Sequence, residues 1–273
     1  MDGTKNKLLV LYANSSFAYV IAFLSIFIPT QVLVHFVARG FDIPTKFDYY
    51  KLIFPIADHS ILWTQLSVSC IYAASPLLAL IVAFIVFKLL ISKSGLISQF
   101  SNLFLIWLYA HCINIFFGGL LIGIPLIKDF GYLPNWLYAT SETAVYLILI
   151  GALGLLVNGI LLRKAFNSIC FDEKYFKSPY HSFVFKSMIA LFPAITGIVI
   201  FILFKFPDNA VFTKLLHSTI LIQLCSVVPF TSIHIPISEQ FRNFRFSYKP
   251  VVILVLLFGL FTTWKIVHNL YFY

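Results

Sequence analysis

Seven blocks of about 20 or more mostly apolar residues, separated by short basic or aromatic connectors, take up nearly all of this 273-residue chain. A stretch of that length is what an α-helix needs to cross roughly 30 Å of hydrocarbon, where each backbone polar group must be satisfied without water. The expected fold class is therefore an all-α integral membrane protein, a bundle of about seven transmembrane helices forming a single polytopic domain over 1–273. The spans read as 14–38, 68–91, 99–124, 143–162, 183–204, 212–234 and 250–271. The first block is too long for a signal-peptide core and has no clear small-residue cleavage site, so it is expected to be a retained helix.

Composition enters here as an exclusion. With 60% hydrophobic and 11% charged residues, including 31 Phe, the chain could not bury its apolar side chains as a water-soluble domain. Its net charge of +9 does not point to nucleic acid, because Lys and Arg sit in connectors beside apolar spans, where anionic lipid head groups are the natural partner. Cys70, Cys112, Cys170 and Cys225 are scattered singly and suggest neither a disulfide frame nor a metal knuckle.

Seven crossings divide the 19 basic residues into twelve on the N-terminal side, from Lys5 to Lys249, and seven on the other. That bias predicts a cytoplasmic N-terminus and an outside C-terminus, the reverse of a G-protein-coupled receptor. Tyr132, Trp136 and Tyr138 before the fourth span, and Trp264, Tyr271 and Tyr273 after the seventh, suit a lipid–water boundary. Segment 41–66, with several aromatics and Pro44 and Pro55, reads as an interfacial segment or a lid. Segment 163–182 reads as a charged cytoplasmic loop, and Lys186 as a snorkelling residue at a span end.

Within the spans the informative residues are prolines, glycines and polar groups. Pro29, Pro76, Pro193 and Pro229 each remove an intrahelical bond and are candidate hinges, in a three-plus-one-plus-three arrangement that a repeat-built carrier would use. The same kinks occur in bundles that transport nothing, and no residue-level match relates the two halves. In the third span His111, Asn114 and Gly118 recur at helical spacing, with Gly119 and Gly123 beside them, while Gly151, Gly154, Gly159 and Asn158 mark the fourth. The glycines are read as packing positions. The polar groups are either interhelical hydrogen bonds or a solute site. Gln31 and His35 in the first span, and His217, Gln223, Ser226, Thr231 and His234 in the sixth, would extend such a site if their faces converge. Glu142 is either a mouth carboxylate or a favourable charge near a helix N-terminus.

Motifs for zinc or serine intramembrane proteolysis, nucleotide loops and paired carboxylates are absent from the sequence. No metal site is expected and no cofactor is identified; a haem held between His35 or His111 and His217 would satisfy bis-histidine ligation, a test that any histidine-containing bundle passes. Three functions fit: a non-enzymatic subunit or scaffold of a larger membrane complex, a small-solute transporter with a midplane polar site, or an intramembrane enzyme using His111 and Asn114. The expected partners are the lipid bilayer and a membrane protein or a second copy of the chain. Abundant Phe, Ile, Lys, Asn and Tyr point to an AT-rich prokaryotic genome and hence to a bacterial inner membrane.

Overall fold

The apolar runs fold as helices, and the computed structural model describes them over residues 2–48, 51–92, 98–169, 178–204 and 211–228. In chain order these are α1 (Asp2–Arg39), a hairpin of β1 (Lys46–Asp48) and β2 (Lys51–Ile53), α2 (Gln65–Ser92), α3 (Gln99–Leu126), α4 (Tyr132–Trp136), α5 (Ser141–Asn167), α6 (Pro179–Leu203) and α7 (Val211–Val227). Among the described residues five helices, α1, α2, α3, α5 and α6, are long and apolar enough to cross a membrane, and α7 is a shorter apolar helix. They correspond to the first six expected spans. The seventh, 250–271, lies outside the described residues, as do Pro229, Thr231 and His234 of the sixth and most of the 163–182 loop.

Helix ends follow local chemistry. Ser98 starts α3 by accepting from the Ser101 amide at 3.2 Å, and Thr140 does the same for α5 through Thr143 at 3.3 Å. At the end of α1, the Gly40 amide closes on the carbonyls of Phe36 and Val37, both at 3.1 Å. Segment 41–66 joins α2 only at Gln65, and within it Lys46 pairs with Ile53 and Asp48 with Lys51 in antiparallel register. It folds back against α1 and α2, where Ile43, Ala38 and Ile71 are buried among Phe54, Trp63 and Tyr72.

Two interior stretches depart from α geometry. Asn114–Gly123 of α3 and Ser187–Leu191 of α6 are π-helical, with i→i+5 bonding and a wider turn. Such segments are rare and recur at functional sites. After the first of them, α3 ends at Ile127 with φ 49°, a left-handed conformation that a β-branched side chain adopts only under strain. Ile127 is largely exposed, so Ile127→Gly is expected to raise the unfolding free energy by about 1 kcal/mol, read as a higher thermal midpoint in detergent. An unchanged or lower midpoint would mean that packing outweighs the relieved strain.

α3 is the axis of the bundle. In its most apolar stretch 67% of residues are buried, against 22% in each of α1, α2 and α5. α1, α2, α5 and α7 pack around it, and α6 packs on α1. The direction of each helix follows from paired positions. Ser15 with Trp107, and Tyr19 with His111, set α1 parallel to α3. Trp107 with Phe166, and Tyr109 with Asn158, set α5 antiparallel. Apolar side chains face outward on α2 at Leu77, Ile81 and Phe84, and on α5 at Leu149, Leu153 and Val157, the surface a bilayer or a membrane partner would cover.

Candidate functional site

Proline 193 shows how the centre of the bundle is built. It has no N–H to give the carbonyl four residues earlier, that of Ile189, which lies in the π-helical turn of α6. Ser15 of α1 supplies the missing donor, its Oγ bonding the Ile189 oxygen at 2.5 Å. Trp107 of α3 in turn donates Nε1–H to Ser15 Oγ at 2.9 Å. One hydroxyl therefore ties three helices together at a level where no solvent is present to satisfy those groups. Trp107 is wholly buried, edge-on to Tyr19 at 4.8 Å and to Phe166 at 5.2 Å.

One turn further along, His111 and His217 lie in an aromatic cluster. His111, 3% exposed, donates Nε2–H to the Tyr19 carbonyl at 3.1 Å, and its ring meets those of Tyr19 at 4.4 Å and Phe23 at 5.5 Å. His217 is also buried, 5.0 Å from Phe23 and stacked on Phe201 at 5.2 Å. The two histidines thus share Phe23 as a common neighbour. His217 is held in the packed interior by the rings of Phe23 on α1 and Phe201 on α6.

Asn114 opens the π-helical segment and points at α7. Its Nδ2 donates to the Leu216 carbonyl at 2.8 Å, and its Oδ1 accepts from Thr219 Oγ1 at 2.9 Å. The chain is locally irregular at Thr219, which divides α7 into two pieces, and the Leu216 oxygen, 2.7 Å from Thr219 Oγ1, competes with Asn114 Oδ1 for the one proton of that hydroxyl. Gln223, fully buried, donates Nε2–H to the Ala110 carbonyl at 3.2 Å. Asn158, half-buried on α5, accepts from Tyr109 and donates to Gly154 O at 2.7 Å.

The structure thus brings His111, Asn114, His217 and Gln223 to the α1–α3–α6–α7 interior, with Asn158 on the neighbouring α3–α5 seam. His111 and Asn114 do not address the same neighbour, since one meets α1 and the other α7. Gln31 and His35 stand apart: both are half-buried, and His35 reaches Thr45 Oγ1 at 2.5 Å beside the hairpin. Lys186, read as a snorkelling side chain, is instead 1% exposed; α6 begins at Pro179 rather than 183, which carries Lys186 into the packed region. Glu142 is exposed in the first turn of α5.

The small residues lie where backbones approach. A Cβ on Gly118 would fall 2.7 Å from Thr219 Oγ1, on Gly151 2.7 Å from the Phe117 carbonyl, on Gly154 2.3 Å from the Phe117 ring, and on Gly159 2.1 Å from the Gln223 carbonyl. Gly123 abuts Gly131 in the connector after α3, whereas Gly119 meets only Phe130 at an ordinary 3.6 Å. Pro29 and Pro76 lie inside α1 and α2. Ser15, Tyr19, Phe23, Trp107, Gly197 and Thr219 escaped the sequence reading, although Asn14–Ser16 is a visible polar island in an apolar run.

Among the described residues, no group of three or more His, Cys, Asp or Glu is placed to hold a metal ion, and Cys70, Cys112 and Cys225 are free thiols. Compared with protein-family models, with curated proteins and with solved structures, the chain matches none.

Proposed function

We propose that this protein is a non-enzymatic membrane-embedded subunit or scaffold, its helix bundle docking a membrane partner or a second copy through its apolar outer faces. The observation that supports this reading most directly is where the mid-bundle polar groups are spent. Asn114, Gln223 and His111 bond backbone carbonyls of neighbouring helices, so they serve as joints between α1, α3 and α7. On this reading the N-terminus is cytoplasmic, as the basic residues favour, and the membrane is a bacterial inner membrane.

The expected result is a fixed-stoichiometry complex when the full chain is extracted in mild detergent, with a lower thermal midpoint once the partner is stripped away. Light scattering showing a monodisperse, stable monomer of 31.1 kDa protein mass would sink the proposal.

The π-helical run Asn114–Gly123 favours a second reading, a small-solute carrier whose path passes between His111 and His217. The two readings separate on Asn114→Ala. A scaffold loses stability, about 1–3 kcal/mol for two interhelical bonds. A carrier loses uptake into vesicles while the protein stays folded.

A further inference from the structure

The outward side of α5 carries a stripe that stays open among the described residues. Tyr146, Leu149, Leu153 and Leu156 are 39–66% exposed along it, and Glu142, also exposed, stands at its head. These five positions follow one another in steps of four, three, four and three, the spacing with which one helix packs along another. Acyl chains suit the apolar members. A carboxylate in line with them is better matched by a cation.

The path of the chain brings a candidate to this stripe. Gln223 bonds the Ala110 carbonyl and Asn114 the Leu216 carbonyl, so α7 runs antiparallel to α3 and hence parallel to α5. Its last turn rests on α5, where Ser226 Oγ donates to the Leu156 carbonyl at 3.1 Å. The chain therefore leaves α7 on one flank of the stripe, heading for the end of the bundle where α5 ends. A following helix that crosses the membrane must run back antiparallel to α5, and consecutive elements are usually neighbours in space.

The apolar block that follows is 250–271, outside the described residues, and its sequence carries the complementary pattern. Counted back from Lys265, the positions Phe261, Phe258, Leu254 and Val251 repeat the steps of four, three, four and three. Laid antiparallel on α5, the two stripes fall into register, with Lys265 opposite Glu142, Phe258 opposite Leu149 and Leu254 opposite Leu153. We propose that 250–271 is a helix packed along this stripe of α5, beside α7, and joined to it by a Lys265–Glu142 ion pair. This leaves the face of α2 at Leu77, Ile81 and Phe84 as the surface for a membrane partner. The proposal does not rest on the scaffold reading: a stable monomer would end that reading and leave this packing in place.

The test uses the full chain in mild detergent, with its native cysteines kept and two cysteine pairs introduced, Leu149→Cys with Phe258→Cys and Leu153→Cys with Leu254→Cys. After mild oxidation and trypsin, which cuts in the basic connectors, each pair is expected to join the α5 peptide to the peptide from 250–265 in the monomer band. The four single variants, and Ile81→Cys with Phe258→Cys, should leave those peptides unjoined. No linkage in either pair, linkage as efficient from Ile81, or linkage confined to a dimer band overturns the proposal, the last by making a second copy the occupant. A charge exchange tests the register separately. Glu142→Lys and Lys265→Glu should each lower the thermal midpoint by a few degrees, and the double exchange should recover most of the loss. A double variant no more stable than the singles overturns the pairing. Should a cysteine variant fail to fold, the charge exchange carries the test.

Discussion

Gly159→Ala is expected to destabilise the folded protein by about 3 kcal/mol and to release α7 from α5. The added methyl carbon would sit 2.1 Å from the Gln223 carbonyl oxygen and 2.8 Å from the Ser226 side chain. The first of these is backbone, so relief requires α7 to move as a body. That movement strains the Gln223–Ala110 bond and the pairing of Asn114 with Leu216 and Thr219, which lie on the same helix. Gly119→Ala is the control: its Cβ meets Phe130 at 3.6 Å, so the change should be neutral or stabilise by up to about 1 kcal/mol through helix propensity. Thermal unfolding in detergent, followed by circular dichroism, measures both. Equal midpoints for the two variants would show that α7 is not seated on Gly159.

The contrast between those two glycines marks where sequence reading ends. Both occur in apolar spans with small neighbours, and spacing assigned both to packing. What separates them is the partner surface, a carbonyl at one and a phenyl edge at the other. That depends on which helices become neighbours. Hydropathy located the described apolar helices because length and apolarity are local properties. It could not place the start of α1, since Lys5, Asn6 and Lys7 continue the helix without continuing the apolar run. Nor does composition distinguish π from α geometry in Asn114–Gly123, where the same side chains could serve either. Trp and Tyr were read as boundary anchors on general grounds. That reading covered aromatics of the connectors and the chain's end and said nothing of Trp107 and Tyr19, which form the centre, because a bundle needs large side chains inside as well as at its rims. The polar pairs show the same limit: His111 and Asn114 were visible as unusual residues, but their partners on α1 and α7 are set by tertiary contact.

Replacing that central ring is the second large effect. Trp107→Ala is expected to cost about 3–5 kcal/mol, because it empties a site lined by Tyr19 and Phe166 and breaks the bond to Ser15. Trp107→Phe keeps most of the packing and loses only the indole donor, at about 1 kcal/mol, while Ser15 still serves the Ile189 carbonyl. The ratio is the informative quantity. A phenylalanine variant as unstable as the alanine variant would mean that the hydrogen bond, not the ring, holds α1, α3 and α6 in place. Unfolding by graded addition of denaturing detergent resolves the two.

The length of α1 sets a condition on the membrane that receives this protein. From Lys7 to Arg39 it runs as a helix of 33 residues, about 50 Å at 1.5 Å per residue. A hydrocarbon layer of about 30 Å with its head groups measures about 40–45 Å. The surplus of about 5–10 Å is taken up either by tilting α1 from the bilayer normal or by letting its charged ends stand in the water beyond the head groups. Because α3 and α6 run alongside α1, tilting it carries the bundle with it. Where tilt takes up the surplus, a thinner bilayer demands a steeper tilt and a thicker one a shallower angle, so bilayer thickness would bear on how this molecule stands and in which membrane it comes to rest.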